Sequence, residues 1–126
     1  MRLIIQGQPI PKLRARTVRR DGKSITYTPD PSASYQEMVR VLALNEGMEM
    51  IPQGVPVRLR VTFVMGKKDV AKRPDIINLV ALIADALNKV CYWDDSQIVE
   101  LQCRKSAGHI HPRTMIDVER LDQGEK

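Results

Sequence analysis

The run IINLVALIADALNKV, residues 76 to 90, constrains this chain more than any other stretch, because only Asn78, Asp85, Asn88 and Lys89 interrupt an otherwise apolar helical sequence. A helix that is apolar nearly all round must be covered on more than one side. One sheet covers one side, so the other is expected to meet a second subunit, giving a homodimer through this helix. Pro74-Asp75 opens the helix, and Asn88 or the residues just after it close it. Asn78, Asp85 and Asn88/Lys89 recur at helical spacing and form one narrow polar stripe.

The flanking elements are read from periodicity. RLIIQ, residues 2 to 6, is a short strand that stops at Gly7, Pro9 and Pro11. A basic loop follows, and Asp21-Gly22 suits the turn of a hairpin closed by KSITYTP. From Ser32 the period becomes helical, with Ser34 as N-cap, Glu37 three residues on, Met38, Val39 and Leu42 on one face, and Gly47 at the end. Residues 55 to 65 alternate Val57, Leu59, Val61 and Phe63 against Arg58, Arg60 and Thr62, a half-buried strand with a basic outer face. Residues 96 to 105 and 114 to 121 read as two more strands, the former with Ile98 and Glu100 opposite Val99, Leu101 and Cys103. The class is α+β: a small mixed sheet packed with two main helices, in a single domain over residues 1–121 with a frayed tail at 122–126.

Charge then limits the partners. The chain carries 20 Lys and Arg against 15 Asp and Glu, a formal +5, which suits an anionic partner such as nucleic acid. Lys12, Arg14, Arg16, Arg19, Arg20 and Lys23 meet only Asp21 in their stretch, and Lys72 and Arg73 precede the long helix; phosphate contact is expected of Lys12, Arg14, Arg16, Lys72 and Arg73. Cys91 and Cys103 make no disulfide framework or zinc spacing, and no run suits secretion or a membrane span, so a cytoplasmic protein is expected. His109 and His111 read as a surface turn, and Trp93 as a core residue, with base stacking as its alternative.

Within this basic chain the carboxylates stand out. Asp75 suits an N-cap and Asp94-Asp95 a polar turn, yet carboxylates among phosphate-seeking cations also suit a site in which a divalent cation takes oxygen ligands from both protein and DNA.

These residues resemble a known family. RPDIINLVALIADALNKVCYWDDSQIVELQCRK is similar to the signature of the RusA-type Holliday junction resolvases: a basic approach, Pro-Asp-x-Asp-Asn-Leu, a helix with Asp-Ala-Leu, then an aromatic and Asp-Asp-x-Gln-[Ile/Val]-Val. GQPIPKLRARTVRRDGKSITYTPDPSASYQEMVR resembles the family's N-terminal half. The resemblance implies an α+β homodimer that binds four-way DNA junctions and cuts them with Mg²⁺, or Mn²⁺, in recombination and repair, a function often carried by phages or prophages. It places the catalytic metal site at Asp75 and Asp95, with Asp94 as a further ligand and Asn78, Asp85 and Gln97 as supporting positions. Two residues depart from the pattern: Ile77 stands where the family has a second aspartate, and Ala81 where some members have a lysine. The departure at Ile77 implies weakened cleavage, or junction binding without cleavage.

Overall fold

Alternation of apolar and polar residues builds a sheet with one dry face. The computed structural model describes residues 1–13, 16–27, 30–66, 71–107 and 110–122, and only the backbone of Arg16, Tyr27 and Asp30. Its elements are β1 (Arg2–Gln6), β2 (Arg16–Arg20), β3 (Lys23–Tyr27), α1 (Asp30–Asn45), β4 (Val57–Val64), α2 (Ile76–Ala86), β5 (Ile98–Ser106) and β6 (Arg113–Arg120). The main sheet has the order β1-β6-β4-β5, and among the described residues β2 pairs only with β3. β6 runs antiparallel to both β1 and β4, whereas β4 and β5 are parallel and joined through α2.

Leu3 and Ile5, Val57 to Phe63 at alternate positions, and Thr114, Ile116 and Val118 are all buried on one face. Both helices lie there. Tyr35 of α1 reaches Thr114 of β6, hydroxyl to hydroxyl at 2.8 Å, which sets α1 over the β1–β6 side, while α2 packs toward β5. The opposite face is polar. There Arg58 is held by Glu100 at 2.7 Å and Glu119 at 3.0 Å, so the basic face expected of β4 is largely neutralised at this residue.

α1 starts one turn before Ser34, the expected N-cap. Pro31 is tolerated in a first turn because its missing N–H needs no partner there. Ser34 and Glu37 are exposed on the helix surface, whereas Ser32 is buried and its Oγ accepts from the Leu13 amide at 3.3 Å. The buried stripe is Tyr35, Val39 and Ala43; Met38 is exposed. Gly47 ends the helix as expected, at φ 69°.

The surroundings of α2 differ from expectation. Leu79, Val80, Leu82, Ile83 and Ala86 are buried within the chain itself, between the sheet and α1. The N-terminal segment covers the polar stripe: the Lys12 amide donates to the Asn78 carbonyl at 2.9 Å, and the Lys12 ammonium pairs with Asp85. The second subunit invoked for this helix is therefore not needed to bury it. Ile77 is the exception, 75% exposed.

β5 has an irregularity near its start, since Ile98 pairs with Val57 but Glu100 with Arg58. The skipped Val99 turns outward, and Ile98 packs against the core with Cys103 rather than opposing it, while Leu101 stays 48% exposed. Leu121 is buried, and Arg120 grips Asp122 through two 2.7 Å bonds; residues 123–126 lie outside the described residues. Among the described residues no helix is long and apolar enough to cross a membrane.

Candidate active site

Asp75 occupies the N-cap position of α2 with extended backbone, φ −68° and ψ 139°, yet its side chain accepts no capping hydrogen bond. The N-cap role that Asp75 suits by sequence is thus not filled by its carboxylate. The carboxylate points instead toward solvent, beside Arg73 at 3.4 Å, an exposed pair of small energetic weight. A cleft of about 420 Å³ lies in front of it. Gln8, Pro9, Pro11, Lys12 and Leu13 form one wall, and Arg73, Pro74, Asp75 and Asn78 the other.

Two residues hold the mouth of this cleft. Lys105 of β5 donates to the Pro74 carbonyl at 2.7 Å and the Lys72 carbonyl at 3.0 Å, fixing the entrance of α2 to the C-terminal end of β5. Gln8 accepts from the Gly66 amide at 3.0 Å. Neither residue carried a sequence signal beyond its polarity. Lys12 points along the cleft floor toward Asp85, so its charge is already partly used.

At the other end of α2, the sequence Asp-Asp-Ser-Gln resolves into distinct roles. Asp94 and Gln97 form a capping box around a short 3-10 turn, Asp95–Gln97: the Ser96 amide donates to Asp94 at 3.0 Å, and the Asp94 amide to Gln97 Oε1 at 2.9 Å. Hydrogen bonding by Ser96, first through its side chain and then through its amide, lowers the Asp94 carboxyl from its ordinary value. Gln97 is buried, and its Nε2 donates to the carbonyls of Pro52 at 2.8 Å and Val55 at 3.0 Å. Asp94 and Gln97 are thus occupied in structure, whereas the carboxylate of the exposed Asp95 has no partner among the described residues. Beneath it, Tyr92 donates to the Ala84 carbonyl at 2.6 Å, and its phenol is pushed far up, first by burial and then by the charges of Cys91, Asp95, Asp85 and Asp94.

Trp93 is 42% exposed rather than in the core, and the Lys89 ammonium sits 3.8 Å over its ring. Lys89 itself holds a left-handed backbone, φ 64°, in the turn after α2. Cys91 is buried with its thiol raised to about 11 by that burial, and Cys103 is half-buried; both are free. Arg14, His109, Lys67 and Lys68 lie outside the described residues, as does the side chain of Arg16; His111 is exposed.

The decisive geometry is the separation of Asp75 from Asp95. Asp75 stands where α2 begins, at the C-terminal end of β5, whereas Asp95 immediately precedes the N-terminal end of the same strand. An 11-residue helix is about 16 Å long, and the seven steps from Ile98 to Lys105 span about 23 Å, so the carboxylates lie on the order of 20 Å apart. Among the described residues no three His, Cys, Asp or Glu side chains come together. A divalent cation shared by Asp75 and Asp95 does not fit a single protomer, and Asp85, pinned by Lys12, cannot substitute.

Comparison with known proteins bears on this arrangement. Residues 6–119 match the family described as Endodeoxyribonuclease RusA. YqaN of Bacillus subtilis (strain 168), a protein described as uncharacterized, is 29% identical over 122 residues, covering 83% of this chain and 86% of YqaN.

Proposed function

The chain belongs to the RusA endodeoxyribonuclease family, and from that premise we propose that it is a homodimeric Holliday junction resolvase whose cutting centres are each shared between two protomers. The observation that carries the shared centre is the placement of Asp75 and Asp95 at opposite ends of β5. A twofold axis through that strand brings the two ends together.

β5 is suited to such pairing. It is the edge of the main sheet, nine residues long, with Val99 66% and Leu101 48% exposed, and an uncovered edge of this kind templates another strand. Its sequence is self-complementary about Gln102 in antiparallel register, since Glu100 then faces Arg104 of the partner subunit and Leu101 faces Cys103 of the partner subunit. The same register brings the Asp95 end of one β5 to the Asp75 end of the other. In a Cys103→Ser background, Gln102→Cys is expected to cross-link across the axis on oxidation, because paired strand residues lie about 4.5–5.5 Å apart, within disulfide range. Non-reducing electrophoresis reads the result, and a protein that remains monomeric on oxidation contradicts this interface.

In this reading the Asp75 and Asp95 carboxylates are the cutting groups, and cations around the cleft hold the junction backbone. The divalent metal used by RusA-family nucleases belongs at the shared centre rather than within one protomer. Ile77 lies on the exposed surface next to Asp75, where the family pattern has a carboxylate, and this favours a second reading: binding of junctions with little cutting. The two readings separate in one assay on a synthetic four-way junction with Mg²⁺ or Mn²⁺. Ile77→Asp leaves the fold within about 0.5 kcal/mol, because the side chain is exposed, and is expected to raise the nicking rate about tenfold or more over a measurable wild-type rate. Cutting by Ile77→Asp alone supports the binding reading for the natural chain; equal cutting by both proteins makes residue 77 irrelevant.

A further inference from the structure

Some cations of the described surface are held by a carboxylate. Arg2, Lys12, Arg58, Arg73 and Arg120 are each paired with a carboxylate. The β2–β3 hairpin gathers three that are not: Arg19, Arg20 and Lys23 are exposed and have no ion pair among the described residues. Asp21-Gly22 closes the hairpin with φ of 53° and 75°, the two left-handed residues of a type I′ turn. Among the described residues the ribbon pairs with no other strand, and it starts three residues beyond Leu13, a wall of the Asp75 cleft.

Its two faces follow from the register. Val18 opposes Ile25 and Arg20 opposes Lys23 on one face, while Arg19 opposes Ser24 and Thr17 opposes Thr26 on the other. Thr17 and Thr26 join hydroxyl to hydroxyl at 3.1 Å. Cations on both faces suit an element with phosphate on two sides, not one lying flat on a single backbone. The apolar pair, with Ile25 46% exposed, gains from an apolar surface, and the phosphate backbone does not offer one. Base faces do, where stacking is interrupted.

We infer that the β2–β3 ribbon is a wedge for the branch point of the DNA junction, with Arg19, Arg20 and Lys23 on flanking phosphates and the Val18–Ile25 pair against unstacked bases. The inference rests on the junction-binding reading above. It assigns discrimination of branched from linear DNA to the hairpin, separately from the carboxylates that cut.

The test uses the full-length protein, a four-way junction with 2-aminopurine beside the branch point, and a linear duplex of the same arms. Wild-type protein is expected to brighten the 2-aminopurine. Val18→Thr/Ile25→Thr keeps β-branched side chains and hence the strands. This variant is expected to abolish the brightening and to reduce the junction-over-duplex preference about tenfold, leaving duplex affinity unchanged. Arg19→Gln/Arg20→Gln/Lys23→Gln is expected to weaken both complexes and lower the salt slope of junction binding by about 2.7, at about 0.9 per phosphate contact. Unchanged brightening and preference in the threonine variant overturn the wedge, as does an equal loss on duplex, which marks simple groove binding. A wild-type protein with no preference for the junction overturns the junction-binding reading itself, whatever the hairpin variants do.

Discussion

Gln97→Ala is expected to lower the melting temperature by about 10 °C, followed by circular dichroism. Gln97 is buried and makes three hydrogen bonds: Nε2 donates to the carbonyls of Pro52 and Val55, and Oε1 accepts from the Asp94 amide. Removing the side chain leaves two carbonyls without these donors and opens half of the capping box. Each buried polar group left unpaired costs about 1–3 kcal/mol, so a total near 3 kcal/mol is a moderate figure. At this chain length that corresponds to a shift of about 10 °C. Gln97→Glu should fall nearly as far despite its shape, because a carboxylate cannot donate to either carbonyl. A melting temperature within about 2 °C of wild type for both variants would show that the latch carries little of the stability.

Asp75→Asn and Asp95→Asn are expected to do the reverse, sparing the fold and removing the chemistry. Neither carboxylate supports the structure: Asp75 makes no capping bond and only an exposed pair with Arg73, and Asp95 is exposed on the 3-10 turn. Melting temperatures should stay within about 2 °C of wild type, since exposed substitutions away from special features stay within about 0.5 kcal/mol. Nicking of a four-way junction should fall at least about 100-fold for either variant, because even supporting groups around a metal centre cost 10–100-fold when removed. Junction affinity measured without divalent metal should hold or rise slightly, since each substitution removes a negative charge facing phosphate. Loss of folding in either variant would transfer that carboxylate from chemistry to structure. Asp94→Asn serves as the contrast: its carboxylate accepts the Ser96 amide, so part of its effect should appear in stability.

Much of the architecture was legible because it depends on short-range periodicity. The alternation of Val57, Leu59, Val61 and Phe63 predicts the dry face of β4, and Asp21-Gly22 predicts the hairpin turn through the two positive φ values it must adopt. The N-terminus of α1 was less legible, because Pro31 is equally at home in a loop and in a first helical turn. Long-range returns of the chain escaped the sequence altogether. Nothing local to Lys12 announces that it caps the polar stripe at Asn78 and Asp85, and nothing local to Lys105 announces its grip on Pro74.

The candidate site shows the same division. The family motif singles out Asp75 and Asp95, and the residues between them read correctly as one helix and its turn. What the motif could not convey is that β4 and β5 run parallel. Parallel strands joined by a helix put the start of the helix and the start of the next strand at opposite ends of the sheet. Two aspartates that read as the ends of one site are therefore separated in one protomer by the length of α2. Asp94 and Gln97, which the motif groups with Asp95, turn out to be the local scaffold that holds it.

Subunit complementation tests the shared cutting centre most directly. Asp75→Asn and Asp95→Asn proteins are each expected to be inactive on a four-way junction, but co-expressed they form mixed dimers. In a mixed dimer one centre carries both substitutions and the other carries neither, so single-strand nicking should return, to about one quarter of the wild-type number of centres if subunits mix randomly. A co-expressed mixture as inactive as either parent, with wild-type protein cutting and mixed dimers verified by mass, would contradict a centre shared across the dimer.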